Sequence, residues 1–404
     1  MNKSPTVALE ASKPDTTSAP EMERWLFVDG ATAFGGHEVM LLRWLEELAT
    51  QRVVSPFVLA RRGSQLKREA VRHAVIVELP AQGTGIVARL IGGVRDAFAF
   101  ARAAFTLRPR VCVIAEGCLL SQPLFAFLGR LLGLRVLIYV PLVQTSVSMG
   151  FGSGRTRDAF VRRIYSKLPH AWITITREQA EDFRRWAGVR QPVLTLPNTV
   201  ARAIEANRVD GSTHREGDMP FRIVVLGRIE AHQKGLDLLL DYISAHPELG
   251  GALQLSFVGT GPYEQTIRAR LQDDAALARW VKLRPWSPTD EALAKADVLL
   301  MTSRYEGVPL VMLEAMALGI PVVAPDLEGT RAFLDARVLF PRGDMQAAFD
   351  IIGQLIDPTA RAAVVARNRE TFQATASNAS FAQAVKALTP QIRALGLGAR
   401  QRSA

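Results

Sequence analysis

Cysteine is nearly missing from this chain: 2 in 404 residues, Cys112 and Cys118, both beside one apolar run. They form neither a disulfide framework nor the ligand spacing of a metal site, and they read as buried thiols in a reducing compartment. Uninterrupted hydrophobic runs of spanning length are missing too. The longest candidate, 119–143, is broken by Arg130 and Arg135 and punctuated by Pro123 and Pro141, whereas a spanning helix needs about 20 predominantly apolar residues. It reads instead as a helix near Gln122–Leu132 followed by a buried strand, Arg135–Val140. The first twenty residues, rich in Ser, Thr and Pro, hold no apolar stretch of the signal-peptide kind and are expected to be a disordered tail.

What is present is the composition of a soluble globular protein, with 48% hydrophobic and 22% charged residues. At this length two domains are expected rather than one core. The net charge of +10 is unevenly placed: residues 21–200 hold 24 Lys/Arg against 14 Asp/Glu, which is the whole excess. A basic half can attract nucleic acid, an anionic membrane surface or phosphorylated ligands. No nucleic-acid motif accompanies the charge and the basic residues are scattered, so nucleic acid is not an expected partner. Peripheral contact with an anionic membrane is, and the chain is expected in the cytoplasm, at the inner face of that membrane.

Short apolar runs alternate with helical patterns along the chain. Strands are expected at Trp25–Asp29, Phe57–Leu59, Ala74–Leu79, Val111–Ala115, Val136–Val140 and Trp172–Ile175, and again from Arg222–Leu226 onward. That alternation predicts an α/β protein with doubly wound parallel sheets, whose ligands sit beyond the strand C-termini. Residues 201–220 turn polar and lose periodicity, which marks a linker between a domain at 21–200 and another at 221–375. Helices are expected beyond Thr359.

The densest signal is Ala296–Asp326, a strand, loop, helix and strand. Pro309 suits a first helical turn and Gly319 the left-handed position past a helix end. The helix between them has no polar face, so it should be buried all round, and its one charge, Glu314, needs a partner. Glu306 lies on the loop before it, and Gly307 permits close backbone approach. Two carboxylates beside a helix N-terminus, with its free N–H groups, suit a phosphorylated sugar.

With EGVPLVMLEAMALGIPVVA around them, Glu306 and Glu314 resemble the E-x7-E motif of the retaining group 1 glycosyltransferases of bacterial polysaccharide and lipopolysaccharide synthesis. The resemblance implies the GT-B architecture, two Rossmann-like domains facing a cleft, with residues 376–404 forming a last helix that returns to the first domain around Pro390–Leu397. It assigns Glu314 to ribose hydroxyls, Glu306 to the donor sugar, and the backbone of Gly307, Val308, Pro309 and Leu310 to phosphate or sugar. GRIEAHQKG is similar to the family's GR…KG segment, in which Arg228, after Gly227, and Lys234 meet the donor diphosphate. Gly259 and Gly261 match the G-x-G-P landmark beneath the nucleotide. Trp286 stands where relatives hold the base, so it either stacks there or packs in the core. Gly35 and Gly36 resemble the GG-x-E turn on the cleft floor.

The first half departs from the family. Relatives carry a histidine after the fifth strand, where this chain has Val140–Gln144; His170 adjoins a different strand, and His232 reads as exposed. Glu116, Gln144 and Thr145 are the acceptor-side candidates. The implied reaction moves a sugar from a UDP or GDP donor to a hydroxyl of a lipid-linked or growing glycan. The resemblance implies no metal or cofactor, which suits this sequence: no D-x-D pair stands at a strand end, and Arg228 and Lys234 can neutralise the leaving diphosphate. A nucleotide-sugar epimerase, a sugar-phosphate synthase and a non-catalytic sugar-nucleotide binder stay open as alternatives.

Overall fold

The computed structural model describes residues 22–32, 34–82, 86–207 and 220–395. The expected tail, most of the linker and residues 396–404 lie outside them. In the first domain β1 (Glu23–Asp29), β2 (Val54–Arg61), β3 (Val75–Leu79), β4 (Val111–Ala115), β5 (Val136–Tyr139), β6 (Ala171–Thr174) and β7 (Val193–Thr195) form a seven-stranded sheet. Its order is β3-β2-β1-β4-β5-β6-β7 and its pairings are parallel. The strands are apolar almost throughout because helices cover both faces. Alternation then sorts the side chains. Trp25 and Phe27 point to one face, with Trp44, Leu137 and Tyr139; Leu26 and Val28 point to the other, with Phe100, Phe125, Ile138 and Trp172.

The second domain repeats the plan with β8 (Phe221–Leu226), β9 (Leu253–Val258), β10 (Val281–Arg284), β11 (Val298–Leu300), β12 (Val322–Pro325) and β13 (Leu339–Phe340). Its order is β10-β9-β8-β11-β12-β13. The chain winds outward from β8 to β10, then jumps back to β11 beside β8. That reversal opens a crevice at the strand C-termini, as the first sheet does between β1 and β4. Helix Leu310–Leu318 buries Met312, Leu313, Ala315, Met316, Ala317 and Leu318. It is not buried all round, since Leu310, Val311 and Glu314 are half-exposed. Pro309 is its N-cap and Gly319, with φ 80°, ends it.

Three details differ from the sequence reading. The three-residue strand β7, in the run before Leu196-Pro-Asn198, is not among the expected strands because it is too short to show alternation. The polar boundary stretch opens with a short helix, Arg202–Ala206, whose Arg202 reaches Glu46 and Glu47 of the first domain. The return to the first domain begins before Pro390: helix Asn378–Ala394 lays Phe381, Val385, Leu388 and Ile392 against the first domain's core. The two crossings are bound together, for Thr199 Oγ1 donates to the Ala376 carbonyl at 2.9 Å and Asn378 N–H to Glu205 at 2.8 Å.

Candidate active site

The floor of the second crevice is made of glycines that backbone geometry demands. Gly227 ends β8 at φ 138° and Gly259 ends β9 at φ 147°. A Cβ on Gly259 would stand 1.8 Å from the Gly227 carbonyl oxygen, and one on Gly261 would stand 2.2 Å from that of Ile229. The two strand-end turns therefore nest with no room for side chains. Gly235 closes the next turn at φ 66°, and its Cβ would meet the Thr302 carbonyl at 2.2 Å.

Above this floor two loops are laced together. Thr302 Oγ1 donates to the Lys234 carbonyl at 2.7 Å, and Arg304 N–H to that of Gln233 at 2.7 Å. The Arg304 guanidinium grips both oxygens of Asp237 at 2.7 and 2.6 Å, holding that carboxyl below its ordinary range. The lacing brings Lys234 Nζ to 2.5 Å from Glu306 Oε1, which also accepts from Ser303 Oγ at 2.8 Å. Arg228 is exposed at the rim and donates to Gln233 at 2.7 Å. A small cavity lies among Gly227, Arg228, Lys234, Thr302, Ser303 and Val311. The sequence reading thus places Arg228, Lys234 and Glu306 in one spot; Thr302, Ser303 and Arg304 escape it because loop polar residues carry no period, and Asp237 because it reads as an ordinary acid in the first turn of helix Leu236–Ala245.

Gly307 is squeezed between domains. A Cβ there would lie 2.5 Å from the Pro141 carbonyl oxygen of the first domain, and one on Gly329 would lie 1.5 Å from the carbonyl of Gly307 itself. Asn198 of the first domain donates to the Val308 carbonyl at 2.8 Å. Pro309 then opens the helix, whose first N–H groups have no partner within it. Across the cleft, Leu310 packs within 3.7 Å of where a Gly36 side chain would begin. Gly35 caps helix Gly36–Gln51 there, and its N–H is taken by Glu38 at 2.8 Å. Two helix N-termini therefore face one gap.

Glu314 accepts from Thr289 Oγ1 at 2.7 Å, the partner its burial required. Burial raises its pKa, against that hydrogen bond and the charge of Arg43. Trp286 is 65% exposed, which rules out the packed alternative and leaves its ring available.

The first domain requires corrections. Glu116 is fully buried, not an acceptor-side group. It accepts from the Leu120 and Gln122 N–H groups and from Tyr165 Oη, knitting the loop after β4. Burial pushes its pKa to about 7 against those hydrogen bonds. Thr145 Oγ1 accepts from Ser148 N–H and Gln144 from Ser148 Oγ, so both stabilise a half-exposed loop turn. That loop does reach the cleft: the Met149 carbonyl meets His232 Nε2 at 2.8 Å, giving the exposed His232 an interdomain contact. His170 sits before β6, where its ring nitrogens meet Arg130 and Val136 N–H, at the opposite end of the sheet from the crevice.

His37 passed without a role in the sequence. Its Nδ1 lies 2.9 Å from Glu38 and its Nε2 3.3 Å from buried Asp29, at the end of β1. Burial opposes charge on the ring, but the two carboxylates outweigh it and raise its pKa to about 9. Asp29, His37 and Glu38 are close enough together to hold a cation; a protonated His37 supplies that charge itself. A carboxylate closing the first strand and a histidine in the glycine turn were the available signals.

This geometry agrees with the comparisons. Residues 220–358 match the family model described as glycosyl transferases group 1. That stretch is similar to a group 1 glycosyl transferase domain, and the chain as a whole has a GT-B fold. Among curated relatives it is 28% identical over 170 residues to the amylovoran biosynthesis glycosyltransferase AmsK of Erwinia amylovora, covering 39% of this chain and 41% of that one. It is 28% identical over 202 residues to the putative colanic acid biosynthesis glycosyltransferase WcaL of Salmonella typhimurium, covering 46% and 49%. The chain thus spans less than half the length of these relatives. The fold superposes on HepE of Anabaena, crystallised with UDP and glucose, at a TM-score of 0.72 and 18% identity, covering 91% of this chain and 100% of that one.

Proposed function

We infer that the protein is a retaining, metal-independent glycosyltransferase, moving a sugar from a nucleoside-diphosphate donor to a hydroxyl of a growing or lipid-linked polysaccharide. The observation that carries this reading is the Lys234–Glu306 contact over a glycine floor, beside the free N-terminus of helix Leu310–Leu318. Anionic phosphates suit the helix end, Arg228 and Lys234; sugar hydroxyls suit Glu306. Glu314, with Thr289, is placed for ribose hydroxyls, and exposed Trp286 for stacking on the base.

In the reaction the bond from the anomeric carbon to the diphosphate oxygen breaks, and the diphosphate leaves with the electron pair. Fixed cations in a closed cleft stabilise that growing charge more than water does. The acceptor oxygen forms its bond on the face the diphosphate leaves, which retains configuration, and its proton passes to the departing diphosphate. The bound UDP and glucose of HepE and the polysaccharide roles of AmsK and WcaL support the donor and acceptor classes.

The test is nucleotide release. UDP or GDP should appear from the matching sugar nucleotide only when a glycan acceptor is present, and EDTA should leave the rate unchanged. Release that needs Mg²⁺ or Mn²⁺ would assign the charge to a metal instead. Conversion of the donor without acceptor would favour an epimerase.

A further inference from the structure

Residues 86–168 hold 12 Lys/Arg and three acids, and the acids are all turned inward. Asp96 pairs with Arg61 at 2.8 Å, Asp158 accepts from the Ser146 and Val147 N–H groups, and Glu116 ties its own loop. Only positive charge is left facing solvent on this stretch, at Arg95, Arg102, Arg155, Arg162 and Arg163 among others.

The same stretch is apolar outside as well as inside. Helix Ile86–Leu107 buries Phe100 and Ala103, yet Ile91, Val94, Phe98 and Phe105 line its outer side. Helix Pro123–Leu131 puts Ala126 and Gly129 inward, where a Cβ on Gly129 would stand 2.6 Å from Val136, and leaves Phe127 and Leu131 outward. These helices and Gly154–Arg163 are neighbours on one sheet face, with Phe100 and Phe125 rings 5.5 Å apart and Phe127 and Phe160 rings 6.3 Å apart. A folded monomer rarely presents so many large apolar side chains together without a partner.

We propose that this face docks the protein on the surface of an anionic lipid bilayer, with the apolar side chains in the headgroup boundary and the arginines against lipid phosphates. Charge complementarity selects the partner. A second copy would bring the same uncompensated positive field against itself, while an anionic leaflet neutralises it. Among the described residues no helix is long and apolar enough to cross a membrane, so the contact is a surface one. The proposal does not depend on the transfer reaction; it goes beyond it by naming the surface on which the protein would work.

Flotation with vesicles of phosphatidylcholine plus phosphatidylglycerol, against phosphatidylcholine alone, tests it without any sugar nucleotide. Phe98 and Leu131 are 71% and 81% exposed, so the pair Phe98→Ser, Leu131→Ser should melt like the wild type. It should lose at least about tenfold in vesicle partitioning. Arg95→Gln with Arg102→Gln should weaken binding about fivefold per arginine, and only at low salt. Wild-type flotation by the serine pair, or equal binding to both vesicle types, would overturn the proposal. So would a dimer in sedimentation that the serine pair dissolves, because a second copy would then be the occupant. If nucleotide release fails while flotation behaves as described, the transfer reading falls and this one stands.

Discussion

The two domains share a plan and differ in how they present it. The second has one continuous core, a crevice floored by glycines and, among the described residues, a single exposed large apolar side chain, Trp286. The first divides its core across a sheet and exposes many such side chains, most of them on one flank. In the second domain every constraint converges on a fixed backbone shape at the strand ends, which suits the phosphate-holding role proposed for it. In the first, loops are knitted by buried side chains such as Glu116 and Asp158, which hold up a surface.

The largest effect should come from the floor itself. Gly235→Ala forces a side chain into left-handed backbone against the Thr302 carbonyl, and should destabilise the second domain by about 4 kcal/mol or more in urea unfolding. Gly63 of the first domain has φ 81° but open space around it. Gly63→Ala should cost only about 1 kcal/mol, the conformational penalty alone. Equal costs would mean that the floor can relax, and the contrast between the domains would break.

Next comes the lacing above the floor. Lys234→Ala and Glu306→Ala should each lower kcat/KM for nucleotide release by about 10²–10³ with the fold intact, and the double variant should lose less than the product of the two. A full product would show two independent groups rather than one contact.

The smallest effect concerns the first domain's interior. Glu116 has its folded pKa raised from 4.5 to about 7. It therefore binds a proton in the folded state that the unfolded chain has released, so stability is greatest below 4.5 and falls as pH rises to about 7. That loss is worth about 3 kcal/mol at most. Glu116→Gln should flatten urea midpoints between pH 4.5 and 7, and an unchanged slope would place the titration elsewhere. His37 acts in the same direction in a later window, its contribution present below 6.5 and lost through about 9.

Much of the second domain's site was legible because glycines, prolines and apolar runs at fixed spacing report backbone geometry. Lys234 meets Glu306 and Gly259 nests against Gly227, a grouping that the family resemblance implied. The first domain was less legible, because its loops are held by side chains with no period. Glu116 ends an apolar strand and reads as a solvated loop residue, yet it turns inward to satisfy three donors. Helix Pro123–Leu131 was read at nearly its observed bounds, but its sequence could not tell which apolar side faces the sheet. Gly129 takes the inside because even a Cβ there would stand 2.6 Å from Val136. His37 was visible as a letter and silent as a group until Asp29 and Glu38 were seen around it.

The paired crossings near Thr199 and Ala376 carry a mechanical consequence. Two links between two bodies ordinarily allow either a door, with pins set apart, or a swivel, with pins together. Here the links are hydrogen-bonded to each other, so the domains hang from one swivel. Any opening of the cleft must rotate about that point, and the Met149–His232 and Pro141–Gly307 contacts are the ones such a rotation would part.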